Sequence, residues 1–185
     1  MQVFIMRHGD AALDAASDSV RPLTHCGSNE TRQMAAWLHG QSVTIERVLV
    51  SPYLRARQTL NAVREALPLP AGEDVLPELT PGGDPKSVGG YLQMLADQGV
   101  KSVLVISHLP LVGYLVAELC PQESPPLFAT SAIARVDLDA CGHGTLQWQV
   151  SPAQLATATS SPAAGPPNPG RPPSVVRLPP TPQTP

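Results

Sequence analysis

Residues 3–13 read VFIMRHGDAAL. Val3 to Met6 is an unbroken apolar run of strand length, and the lack of alternation marks a strand buried on both faces. It stops without any turn residue at Arg7-His8-Gly9, so two charged or polar side chains emerge directly from a strand end. The pattern recurs. Val48 to Val50 runs into Ser51-Pro52, with Arg55 just beyond, and Val103 to Ile106 runs into Ser107-His108.

Between these runs lie helical periodicities. SNETRQMAAWLHG (28–40) opens on polar capping candidates, places Met34, Trp37 and Leu38 on one face and ends at a glycine. SPYLRARQTLNAVREAL (51–67) has Ser51 as candidate N-cap, Pro52 at the first position, and Leu54, Thr59, Leu60, Val63 and Leu67 at helical intervals. DPKSVGGYLQMLADQG (84–99) is a third helix, weakened by Gly89 and Gly90, and SHLPLVGYLVAEL (107–119) passes from strand into a fourth. Ile133 to Leu138 and Thr145 to Val150 alternate more and suit edge or antiparallel strands around CGHG. The expected fold is α/β, a three-layer sandwich with a mostly parallel central sheet, helices on both faces and no lid subdomain. Ligands in such sheets sit beyond the carboxyl ends of the strands, the edge from which residues 7–9, 51–55 and 107–108 emerge.

The 185 residues suffice for one domain. Half of the 22 prolines follow Ser151, and SPAAGPPNPGRPPSVVRLPPTPQTP has no acid, no aromatic and no periodicity. The expected organisation is a catalytic domain over 1–152 and a proline-rich disordered tail over 153–185. Without Arg171 and Arg177 the body carries 10 basic against 15 acidic residues, which argues against nucleic acid as a partner. Cys26, Cys120 and Cys141 are odd in number with no C-x-x-C spacing, so reduced thiols in a cytoplasmic protein are expected. No run reaches membrane-spanning length.

Two histidines and two arginines around one crevice suit phosphoryl transfer. Arginines are permanent charges with planar donor forks, and a neutral imidazole can attack phosphorus. A second imidazole, protonated beside anionic charge, can stabilise the group in transit. Gly9 would let backbone approach the anion, and the helix after His108 would supply amides. No metal is needed; a metal site on His8 and His108 would draw on Asp10 or Glu78, but no H-x-H or H-E-x-x-H spacing exists. Each residue alone has a bland reading: His8 as a structural histidine, Ser107-His108 as a turn, Arg55 as a surface ion pair. His25, His39, His143, Arg57 and Arg64 keep such readings.

MRHGD, SPYLRARQT, VISH, RPLTHCG and VLPELTPGGD, in this order, resemble the histidine phosphatase superfamily, also called phosphoglycerate-mutase-like. The resemblance covers roughly 1–152. It implies His8 as a transiently phosphorylated nucleophile, with Arg7, Arg55 and His108 completing the phosphate pocket and with no cofactor. RHGDAALDAASD departs from the family's usual R-H-G-E run. Glu78, in LPEL, is the only counterpart for the acid that protonates an alkoxide leaving group. Without a lid or a clear acid, the expected substrate is a phosphohistidine on a protein, such as the phosphotransfer domain of a sensor kinase, whose imidazole leaves with little help. The expected enzyme is a monomer. The alternatives are a broad small-molecule phosphomonoesterase, which would need Glu78, and a non-catalytic phosphoprotein-binding module.

Overall fold

The computed structural model describes residues 1–159. Six strands form one sheet: β1 (Gln2–Arg7), β2 (Arg47–Val50), β3 (Asp74–Val75), β4 (Ser102–Ser107), β5 (Ile133–Leu138) and β6 (Gly144–Val150). Their order is β3-β2-β4-β1-β5-β6. β1 to β4 run parallel where they pair, and β5 runs antiparallel to both β1 and β6.

The apolar strands are buried on both faces, and each face has its own core. Val3 and Ile5 of β1 join Val103 and Val105 of β4 under α3 (Pro85–Asp97) and α4 (Leu111–Leu119), where Leu92, Leu95, Leu115 and Val116 pack. Phe4, Met6, Leu104 and Ile106 point the other way, against Met34 and Leu38 of α1 (His25–Gly40) and Leu60 and Val63 of α2 (Leu54–Arg64). The three-layer sandwich with helices on both faces is present. Each fully buried aliphatic side chain contributes about 1.5–3 kcal/mol, so the strands that carry the site are among the most firmly anchored parts of the chain.

Local chemistry sets the helix ends. α1 starts three residues earlier than its periodicity suggested because the Thr24 hydroxyl accepts from the Gly27 amide and caps it. α3 opens on Asp84, whose carboxylate accepts from the Lys86 amide, with Pro85 at the first position. α2 begins only at Leu54, so Ser51 is not its N-cap.

The stretch between α2 and α3 holds β3 and a 3-10 turn, Pro77–Leu79. One expectation is corrected. The tail was placed from 153, but Pro152–Thr159 forms α5, whose Leu155 packs on the α1–α2 core. Proline at the first helical position is tolerated there. The remaining proline-rich stretch, 160–185, lies outside the described residues.

A Cβ on Gly27 would come within 2.2 Å of the Asp10 carbonyl oxygen, whereas one on Gly90 would meet nothing within 4 Å. Gly27→Ala is therefore expected to destabilise the fold by about 1–3 kcal/mol and Gly90→Ala to stabilise it by about 0.5–1 kcal/mol. Urea melts of the two variants check both signs.

Candidate active site

β1, β4 and β2 are neighbours whose ends share a row: Met6 pairs with Ile106 and Ile106 with Val50. The residues that follow leave the sheet at one edge. The rings of His8 and His108 stand with centroids 5.0 Å apart, and Arg55 Nε lies 3.3 Å from His8 Nε2. A depression of about 790 Å3 lies at the opposite edge, among Gln2, Glu46, Lys101 and Asp139, so cavity volume is no guide to this site.

His8 is oriented from both ends of its ring. Nδ1 lies 2.7 Å from the Gly9 carbonyl oxygen; since a carbonyl only accepts, Nδ1 carries the proton and Nε2 presents a lone pair. That lone pair accepts from Arg55 Nε. Burial, reinforced by Arg55, Arg7 and Arg21, pushes His8 down to about 4, although the Gly9 contact opposes this. At neutral pH the ring is an unprotonated base, the form that can attack an electrophile.

His108 is 1% exposed. Its Nε2 lies 2.7 Å from Ser51 Oγ, the Tyr53 ring meets it edge-on at 5.1 Å, and its Nδ1 is buried without a partner. Burial, then His8 and Arg55, push it down to about 3. The free protein thus holds both imidazoles neutral.

The guanidinium groups are held by main chain. Arg7 donates from an Nη to the Phe128 carbonyl at 2.8 Å while its Nε is buried and unpartnered. Burial and Arg55 lower its pKa, partly offset by Asp10. Arg55, 3% exposed, donates to the Asp18 carbonyl at 2.6 Å and to its carboxylate at 3.2 Å. Asp18 belongs to a 3-10 turn, Asp18–Val20, and also pairs with Arg21. Nothing in the pattern of the loop marks Asp18, and only the closeness of two basic residues in the fold reveals it.

Two further buried hydroxyls brace the site. Thr59 Oγ1 accepts from the Gly9 amide at 3.0 Å and donates to the Arg55 carbonyl at 2.7 Å, tying the His8–Gly9 loop to the helix that carries Arg55. Ser131, at φ 62, donates its amide to the His8 carbonyl at 3.1 Å and pairs with Thr31 at 3.0 Å. A non-glycine residue in the left-handed region costs of order 1 kcal/mol, and here it buttresses the His8 backbone.

Other sequence candidates fall elsewhere. Glu78 is exposed on the turn after β3, where it lines a hollow of about 90 Å3 with Leu76, Ser87, Val88 and Tyr91; no hydrogen bond or ion pair joins it to the histidines. Asp10 accepts from the Thr24 hydroxyl at 2.7 Å. Gly9 was expected to admit an anion, but the space above its Cα is taken by α1: a Cβ would come within 2.8 Å of both Gly27 O and Thr31 Oγ1. Arg57 and Arg64 pair with Glu73, and His25, His39 and His143 are exposed. Among the described residues no three His, Cys, Asp or Glu side chains group closely enough to hold a metal ion.

What the arrangement offers a small oxyanion is two guanidinium groups, one lone pair and one orphaned ring nitrogen gathered at one edge of the sheet. Comparison with known proteins agrees with this chemistry. A sequence profile of the histidine phosphatase superfamily (branch 1) matches residues 3–79. The chain is 69% identical over 158 residues to phosphohistidine phosphatase SixA of Escherichia coli K12, spanning 85% of this chain and 98% of that protein. The SixA homolog of Haemophilus influenzae is 42% identical over 159 residues, spanning 82% and 97%. The solved structure of the protein histidine phosphatase SixA complexed with tungstate superposes with a TM-score of 0.83 at 70% identity, over 84% of this chain and 99% of that one. The chain belongs to the histidine phosphatase superfamily, a family of hydrolases.

The depressed histidines make a direct expectation. In phosphate-free buffer, NMR titration should show His8 and His108 unprotonated from pH 8 down to about 5. Midpoints near 6.5 for either ring would contradict the burial argument.

Proposed function

We propose that this enzyme removes the phosphoryl group from phosphohistidine on a signalling protein, such as the phosphotransfer domain of a sensor kinase, acting as a monomer in the cytoplasm. His8 is the nucleophile. Its Nε2 attacks phosphorus, the P–N bond to the substrate breaks, and the substrate imidazole, protonated from solvent at its other nitrogen, leaves neutral. Water then attacks the phosphoryl group on His8, returning the neutral ring and inorganic phosphate. Arg7 and Arg55 neutralise the equatorial oxygens throughout, and His108 donates to one of them. The catalytic unit is residues 1–159, with the proline-rich remainder outside it.

The observation that carries the proposal is the pairing of a tautomerically fixed, unprotonated His8 with two guanidinium groups, Arg55 buried and Arg7 half-buried. Its similarity to SixA, a phosphohistidine phosphatase that forms a tungstate complex, supports the same reading, since tungstate is a tetrahedral oxyanion like phosphate. A protein substrate is supported by the rim. Val20 and Leu127 are 46% and 86% exposed, and each lies within two residues of a group that holds a pocket arginine: Asp18 and Arg55, Phe128 and Arg7. Exposed apolar side chains of this kind suit contact with a partner surface. An imidazole leaving group needs less help from an acid than an alkoxide does, and Glu78, exposed on the turn after β3, makes no hydrogen bond to either histidine.

Incubation with a phosphorylated phosphotransfer domain should strip the label. Retention of the label would refute the proposal. His8→Ala should abolish both turnover and acid-labile labelling of the enzyme, while Glu78→Gln should turn over the phosphoprotein close to the wild-type rate. Strong dependence on Glu78 with preferred turnover of sugar phosphates would favour the small-molecule phosphomonoesterase instead.

A further inference from the structure

Ser51 leaves β2 next to the site, and its side chain is fully buried. Two contacts define the direction of its hydroxyl. The Tyr53 amide donates to Oγ at 3.2 Å, which occupies one oxygen lone pair. The other contact, at 2.7 Å, is with His108 Nε2, and among the described residues it is the only acceptor offered to the hydroxyl proton. If Nε2 carried the ring proton, Oγ would accept twice and its own proton would be buried without a partner, an arrangement native interiors avoid. The hydroxyl therefore donates to Nε2.

A neutral imidazole whose Nε2 accepts carries its proton on Nδ1. Nδ1 is the atom of His108 that is buried without a protein partner, and the Arg7 Nε–H is orphaned in the same way. Two unpartnered donors at one edge of the sheet, beside the Nε2 lone pair of His8, point to an acceptor-rich ligand. We propose that Ser51 is a positioning residue that fixes neutral His108 in the Nδ1–H tautomer, so that the ring donates to a phosphoryl oxygen without first being protonated. This rests on the reading of the pocket as a phosphoryl site.

The surroundings make the tautomer matter. The charged and titratable groups facing the ring are Arg7 at the end of β1, His8 just after it, Arg55 from α2 and Asp18 from the 3-10 turn, with the Tyr53 ring edge-on. Only Asp18 favours the imidazolium, and burial outweighs it. With the ring neutral, the opposite tautomer would aim a lone pair at an anionic oxygen and repel it.

Long-range 1H–15N spectra of the full chain near neutral pH, in phosphate-free buffer, read the tautomer directly. His108 should show a pyrrole-type Nδ1 and a pyridine-type Nε2. The reverse assignment overturns the proposal and needs no variant to fold. Ser51→Ala should move the ring toward Nε2–H and lower kcat toward a phosphorylated phosphotransfer domain on the order of 10- to 100-fold near pH 8, with a smaller change in KM. The loss should shrink as pH falls, because an imidazolium donates from both nitrogens. Ser51→Thr, which keeps the hydroxyl, should hold the wild-type tautomer and pH profile. Unchanged kcat in Ser51→Ala, or a loss equal at every pH, would overturn the proposal. A wild-type protein with the expected tautomer that leaves the phosphoprotein labelled would uphold the assignment of Ser51 and reject the assigned substrate.

Discussion

The site depends on a register. β1, β4 and β2 lie side by side in parallel, and Met6, Ile106 and Val50 share one row. Because the pleat repeats every two residues, a slip of one position would send every core side chain to the wrong face. Val3 and Ile5 pack under one helical layer and Phe4 and Met6 under the other, so the register is specified twice. Fixing it places Arg7-His8, Ser51 and Ser107-His108 at one edge without any further device. The chemistry is thus a consequence of where apolar strands stop.

The second constraint is electrostatic. Two imidazoles and two guanidinium groups crowd a small space, and the histidines respond by staying neutral. That response has a thermodynamic sign. Their folded pKa values lie below the unfolded value near 6.5, so from about pH 6.5 downward the unfolded chain binds more protons than the native one. Stability falls with pH across that window. The arginines remain charged and lean on carbonyl oxygens of Phe128 and Asp18 and on one carboxylate. Under the proposed function, an oxyanion would relieve this crowding of positive charge and accept from the orphaned nitrogens.

Much of this was legible in the sequence because strand ends are. Uniformly apolar runs announced a covered parallel sheet, and abrupt endings in arginine and histidine announced the edge where the two histidines gather with Arg7 and Arg55. β3 escaped notice because a two-residue strand has no period; it is held by pairing beside β2 and by the Arg47–Asp74 ion pair at 2.5 Å. α5 was masked by the prolines around it, although Pro152 at its first position is no obstacle. Within the site, the reading reached residues that chemistry singles out and missed those that geometry recruits. Asp18, Ser131 and the Phe128 carbonyl sit in loops without pattern. Ser51 and Thr59 were read as a helix cap and a helix-face residue, because a hydroxyl's partner across the sheet leaves no trace in the local sequence. Gly9 was singled out for the wrong neighbour: the helix packed above it, rather than an anion, excludes a side chain.

The central claim is that residues 7, 8, 55 and 108 enclose one tetrahedral anion. Crystals of this chain grown with tungstate, with the metal located by anomalous scattering, test it most directly. A single strong peak in line with His8 Nε2, its oxygens in contact with both guanidinium groups and with His108 Nδ1, is the predicted result. Tungsten bound elsewhere on the molecule, with that space empty, would contradict the account.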